Sequence, residues 1–234
     1  MIPTVTFVPG TMCDQRIWGP VWRELGPQFD LAYLPIETRL TRDGMRELFR
    51  EAGAKAPLNL VAFSMGGYLA IQHALDHPRQ VASLMTIGSS AFGLAPAELA
   101  ERRRTIEWLS LHTYRGIPTG RLNTFIHPSR RGDPAIIDVM KTMDRDLGQE
   151  VLMAQMKETS ERVSLAPRLG DITCPTLLIG GDSDPYLPPG SLGAMAAAIP
   201  HARTQVAADT GHLIPLEQPQ WLAAQISGFH AHAA

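Results

Sequence analysis

The sequence predicts an α/β fold, a mostly parallel central sheet of about six strands flanked by helices, with an inserted helical cap. Three observations carry this expectation. Short β-rich apolar runs alternate with helical patterns, the runs end in turns rich in Gly and Pro, and one long strand-poor stretch interrupts the alternation.

Thr4 to Val8 is the first β-rich run and closes at Pro9-Gly10; Leu58 to Phe63 is another and closes at Ser64-Met65-Gly66-Gly67. Asp30 to Leu34, Val81 to Ile87, Thr176 to Ile179 and Ala202 to Ala207 complete the set, the last being the least hydrophobic. Helical patterns lie between them at Asp43 to Ala54, Met65 to Asp76 and Pro188 to Ala198, with an amphipathic stretch from Gln218 to Phe229. Strand followed by helix, repeated, means a parallel sheet with helices on both faces. The stretch from Ala95 to Ala166 breaks the pattern, with helical periodicity at Ala97 to His112, Arg121 to His127, Ala135 to Arg145 and Glu150 to Val163. That is more helix than one crossover requires, and Gly93 to Pro96 and Ala166-Pro167 punctuate its ends. Residues 1–94 and 167–234 are therefore expected to form the core and residues 95–166 a helical cap. The terminal Gly228 to Ala234 is expected to fray.

Composition narrows the function classes. At 234 residues and 44% hydrophobic, the chain can bury a full core. Lys plus Arg is 21 against 23 Asp plus Glu, a net charge of -2, so no long-range field favours nucleic acid or a membrane surface. No apolar run is long enough to cross a bilayer, and the first ten residues lack a secretory leader, which predicts a cytoplasmic protein. Cys13 and Cys174 suggest two reduced thiols, with neither a disulfide nor a metal site. No cofactor is expected, since neither G-x-G-x-x-G nor a P-loop is present.

The chemistry begins at Ser64, placed where a strand gives way to a helix, with small residues Ala62 and Gly66 two positions to either side. A serine on so sharp a turn needs small neighbours, because strand and helix must approach closely. Its hydroxyl is a poor nucleophile until a base accepts the proton. Of eight histidines, His212 follows the last expected strand and so falls at the same carboxyl edge of the sheet as Ser64. His73 and His77 stand four apart on the helix after Ser64 without the Glu of a metalloprotease helix, and read as a solvated face; His201, His230 and His232 read as surface residues. A carboxylate must orient the imidazole, and Gly180-Gly181-Asp182-Ser183-Asp184-Pro185 offers two after a strand. Asp209, three residues before His212, is awkwardly placed for the role. The amide of Met65 is positioned to hold an oxyanion, together with one from the loop Pro9-Gly10-Thr11-Met12.

The chain order Ser64, acid loop, His212, with Phe63-Ser64-Met65-Gly66-Gly67 as the turn and Glu217-Gln218-Pro219 beyond the histidine, resembles the α/β-hydrolase superfamily, within its small capped esterases and meta-cleavage-product hydrolases. The resemblance covers nearly the whole chain. It implies that the acid is the second aspartate, Asp184, and that the residue after Gly10, Thr11, gives the other oxyanion amide, with Met12 the near alternative. Ala62 replaces the usual Gly and Pro9 the usual His; the chain also begins directly at its first strand and carries Pro35 to Leu40 in place of a Gly-rich loop.

Together these features point to a serine hydrolase of a small carboxylic ester or thioester, working through an acyl-enzyme. Hydrolysis of a C–C bond, or a lyase reaction, could use the same triad, and a non-catalytic small-molecule receptor is the alternative of another class. The expected substrate walls are Met12 and Phe63 near the nucleophile and, in the cap, Trp108, His112, Tyr114, Phe125, His127, Met140 and Met143. Arg102-Arg103-Arg104 reads as a solvated helix face.

Overall fold

A computed structural model of the protein describes residues 2–231. Its centre is a parallel sheet of six strands, β1 (Thr4–Val8), β2 (Asp30–Tyr33), β3 (Leu58–Phe63), β4 (Val81–Ile87), β5 (Thr176–Gly181) and β6 (Arg203–Ala207), in the order β2-β1-β3-β4-β5-β6. The order reverses between β1 and β3, where Val8 pairs with Ala62. Loops leaving neighbouring strands at such a reversal diverge to opposite faces and open a crevice at the carboxyl edge. Here those loops are Pro9 to Met12 and Ser64.

Alternation along the strands divides the core in two. On β3, Val61 and Phe63 point to one face and Leu60 and Ala62 to the other. The first face is covered by α1 (Gly19–Leu25) and α9 (Pro219–Ala231), the second by α2 (Arg42–Gly53), α3 (Met65–Asp76) and α7 (Ser191–Ala198). Between β4 and β5 run α4 (Pro96–Leu111), the single-turn α5 (Thr119–Leu122) and α6 (Pro134–Ser160), and the one-turn α8 (Ile214–Glu217) precedes α9. Among the described residues, no helix is long and apolar enough to cross a membrane.

Several sequence expectations are revised. Helix α1, unanticipated, is a seven-residue element with Pro20 in its first turn and Gly26 just beyond its end. The helix expected from Pro188 starts at Ser191, after the Pro-Pro-Gly turn, whereas the stretch expected at Gln218 to Phe229 is α9, preceded by the unanticipated single turn α8. The segments expected at Ala135 to Arg145 and Glu150 to Val163 are the two helical halves of α6, separated at Gly148, whose non-helical φ of 75° and ψ of -176° are open to glycine. Arg121 to His127 holds only the end of the short α5. Gly228 to His230 do not fray: they belong to α9, and Phe229 and His230 are buried. His232 and residues 232–234 lie outside the described residues.

His73 is not on a solvated face. Helix α3 is packed between the sheet and α2, nearly all its residues are buried, and His73 lies against the Phe49 ring with centroids 5.3 Å apart. Burial disfavours the imidazolium, lowering the pKa of both His73 and His230 to about 4. A histidine kept neutral in the fold but free to protonate when unfolded stabilises the protein above its unfolded value of about 6.5, and that stability is lost as pH falls from there towards 4. Glu37, whose pKa burial raises, acts in the opposite sense. Urea unfolding at pH 7 and pH 4.5 should therefore show a loss of about 1–3 kcal/mol attributable to each histidine. The double variant His73→Leu, His230→Leu should show a shallower decline than wild type; an equal decline would refute this burial argument.

Candidate active site

Ser64 sits between β3 and α3 with φ 49° and ψ -115°, a conformation that L residues rarely adopt and that costs about 1–3 kcal/mol. Hydrogen bonds on both sides hold it there. Its N–H donates to Ile87 O at 2.8 Å, extending the β3–β4 ladder, and its carbonyl accepts from Gly67 N at 3.0 Å and Tyr68 N at 3.2 Å. The Ser89 hydroxyl adds a third donor to that carbonyl at 2.8 Å. Close packing explains the glycines. A Cβ on Gly66 would overlap the Pro9 carbonyl oxygen and come within 2.9 Å of Val8 Cγ1, while one on Gly67 would collide with the Ser89 side chain.

The hydroxyl of Ser64 lies 3.0 Å from His212 Nε2, and His212 Nδ1 lies 2.8 Å from Asp184 Oδ2. A carboxylate at that distance accepts from Nδ1–H, which leaves Nε2 as an acceptor for the serine proton. Asp184 has a fully buried side chain, and its other oxygen accepts from Tyr186 N at 2.8 Å. Asp182, by contrast, faces the neighbouring loop, accepting from Asp209 N at 2.9 Å and Thr210 N at 3.1 Å. It braces the turn that presents the histidine and does not touch the ring. Gly88, with φ 56°, passes close beneath the imidazole, where a Cβ would lie 3.1 Å from it.

Glu217 fixes the histidine loop from below. This carboxylate, 1% exposed, accepts from Gly211 N at 3.2 Å, Leu213 N at 3.1 Å and His127 N at 2.8 Å. It thus ties both sides of His212 to the segment after α5, whose Phe125 carbonyl accepts from His212 N at 2.7 Å. On the far side of the crevice, Gln155 of α6 is wholly buried and its Oε1 accepts from Met12 N at 2.8 Å. Met12 has φ 54°, so this bond holds a second strained residue in place. The Met12 amide is thereby taken, whereas among the described residues the N–H groups of Thr11 and Met65 donate to no protein acceptor.

Above these groups is a cavity of about 500 Å³ between the sheet edge and the α4–α6 segment. Met12, Phe63, Phe125, Met140 and Tyr114 line it, as expected from the sequence. Trp108 and His112 do not: Trp108 lies in the last turn of α4 and His112 just after its end, the two stack with centroids 4.8 Å apart, and they face outward, Trp108 being 48% exposed. Met143 is buried in the core, where its sulfur accepts from Asp14 N, and His127 pairs with Ser129 outside the cavity. Arg102 reaches the cavity while Arg103 and Arg104 are exposed, so only part of that arginine run is solvated. Tyr186, Ser89 and Arg162, none anticipated, also line it. Tyr186 follows the acid loop, and burial pushes its phenol above the usual value and keeps it neutral.

Residues 41–219 match the family model described as alpha/beta hydrolase fold, and the chain belongs to that family. A biotin biosynthesis bifunctional protein of Teredinibacter turnerae is 24% identical over 251 aligned positions, which cover 96% of this chain and 44% of that protein. A pyrrolizixenacetamide deacetylase of Xenorhabdus hominickii is 27% identical over 177 positions, 73% of this chain and 64% of the relative. The chain thus spans roughly half to two thirds of the length of the curated relatives it matches. Among solved structures, a thermophilic esterase from Thermogutta terrifontis superposes with a TM-score of 0.83 at 25% identity, covering 99% of this chain and 90% of the esterase.

Because Glu217 is buried and serves three backbone donors, its removal leaves them unsatisfied. Glu217→Ala should lower the unfolding free energy by about 2–4 kcal/mol in denaturant titration. A change below about 0.5 kcal/mol would show that the loop is held by other contacts.

Proposed function

We propose that the protein is a serine hydrolase that cleaves small carboxylic esters or thioesters through an acyl-enzyme on Ser64, beneath a helical cap made by residues 95–166. The observation that carries this reading is the unbroken line from Ser64 Oγ to His212 Nε2 and from His212 Nδ1 to Asp184, on a strained turn at the floor of a largely apolar cavity. The esterase and deacetylase among its relatives agree with it.

In the proposed reaction His212 takes the Ser64 proton as Oγ attacks the carbonyl carbon, and Asp184 stabilises the imidazolium that forms. The amides of Thr11 and Met65 receive the developing oxyanion; each donor of this kind contributes roughly 2.7–4 kcal/mol. Thr11 is favoured over Met12 because Gln155 already occupies the Met12 amide. His212 then gives its proton to the departing alcohol or thiol, and a water molecule repeats the sequence to free the acid and restore Ser64. Phe63, Phe125 and Met140 provide apolar surface for the acyl chain, and a cavity of about 500 Å³ suits a small substrate.

Hydrolysis of p-nitrophenyl butyrate and of a matched acyl thioester tests the assignment. Ser64→Ala should lower kcat/KM by ~10³-fold or more, and Asp184→Asn should lower kcat by a similar order. Asp182→Asn should lose less than ~10-fold, since it touches only the supporting turn. Unchanged rates in Ser64→Ala, or a larger loss in Asp182→Asn than in Asp184→Asn, would contradict these roles.

A further inference from the structure

The cavity wall is polar where α4 meets the end of α6. Arg102 pairs with Glu98 at 3.1 Å and donates to Thr159 Oγ1 at 2.8 Å, while Arg121 pairs with Glu101 at 3.3 Å. Asp144 is engaged by Tyr114 OH at 2.6 Å and Ile117 N at 2.8 Å. Arg162 remains. Among the described residues its guanidinium has no carboxylate partner and no hydrogen-bond acceptor, and its Nε is buried. What faces it is the ring of Tyr68, whose centroid lies 5.3 Å from Cζ.

In this partly buried side chain it is Nε that is held out of water without an acceptor, which is costly, and the aromatic face returns only part of that cost. Burial lowers the Arg162 pKa, yet an arginine in a protein stays charged. Its planar fork matches a carboxylate in bidentate fashion. Tyr68 stands one helical turn beyond Ser64 on α3, and Arg162 and Ser64 line the same cavity. Glu98, the carboxylate whose charge acts on Arg162, is already paired with Arg102, so this guanidinium faces the chamber of the proposed nucleophile with no ion pair of its own.

We propose that Arg162 anchors a carboxylate carried by the substrate away from its scissile bond, so that the preferred substrates are anionic esters or thioesters. The identity of the scissile bond rests on the serine hydrolase reading; the anion subsite does not. Three esters test it: mono-p-nitrophenyl adipate with the carboxylate on the acyl side, p-carboxyphenyl hexanoate with it on the leaving-group side, and neutral p-nitrophenyl hexanoate. At least one anionic ester should show a KM about 10-fold below that of the neutral ester. Arg162→Met should abolish that advantage while changing kcat/KM for the neutral ester less than ~3-fold, and Arg162→Lys should retain part of it. The arm that shows the preference identifies the side. Calorimetry on Ser64→Ala separates the two readings, because adipate should bind and should lose about 10-fold in affinity on adding Arg162→Met, whether or not any ester is hydrolysed. Equal KM values for all three wild-type reactions, equal binding of adipate and neutral adipamide, or equal losses on every ester in Arg162→Met and Arg162→Lys would overturn the subsite.

Discussion

The site depends on one backbone constraint, the positive φ of Ser64 at the end of β3. That conformation turns the chain from strand into helix within a single residue and leaves the hydroxyl exposed to the crevice instead of buried in either element. It persists because the surroundings over-determine it: a ladder bond to Ile87, acceptance from Gly67, Tyr68 and Ser89, and van der Waals contact between α3 and the first loop at Gly66. Val8 and Ser89, which have no step of their own in the proposed reaction, thus help set where the serine oxygen stands. The contact at Gly66 also brings the Pro9 to Met12 loop alongside Ser64, so the candidate oxyanion amides follow from the same packing.

Two buried side chains couple the sheet edge to the α4–α6 segment. Glu217 joins the histidine loop to the segment after α5, and Gln155 joins α6 to Met12. Gln155 satisfies a strained donor from a distant part of the sequence, and Glu217 satisfies two donors of its own loop together with the distant His127 amide. Helices that build the cavity roof therefore help to hold the loops on its floor, and the spacing between His212, Ser64 and the Met12 loop is a tertiary property.

Ser64 and His212 were legible from turns with their own local chemistry, small residues about the serine and Gly before the histidine, while the loop after β5 offered both Asp182 and Asp184, and only the resemblance to the α/β-hydrolases chose Asp184. All six strands could be read to within two residues of their ends, including the largely exposed β6. The rest lacked a local signal. Gln155 meets Met12 across 143 residues and Glu217 meets His127 across 90, and no periodicity encodes such partners. His73 was misread because α3 is buried almost all round, so it carries little amphipathic contrast to reveal which face is wet. Trp108 and His112 satisfy each other by stacking on the outer surface, so aromatic character alone did not locate the pocket. Arg162 follows the end of α6 outside any motif, and its role depends on which partners its neighbours Arg102 and Glu98 have already taken.

The central claim is that the strained serine is the nucleophile, and covalent labelling tests it without a knowledge of the substrate. Intact protein is treated with a fluorophosphonate, digested, and the adduct located by mass spectrometry. The expected result is a single stoichiometric adduct on Ser64, absent from Ser64→Ala. An unlabelled wild type, or an adduct on another residue that survives in Ser64→Ala, would contradict it.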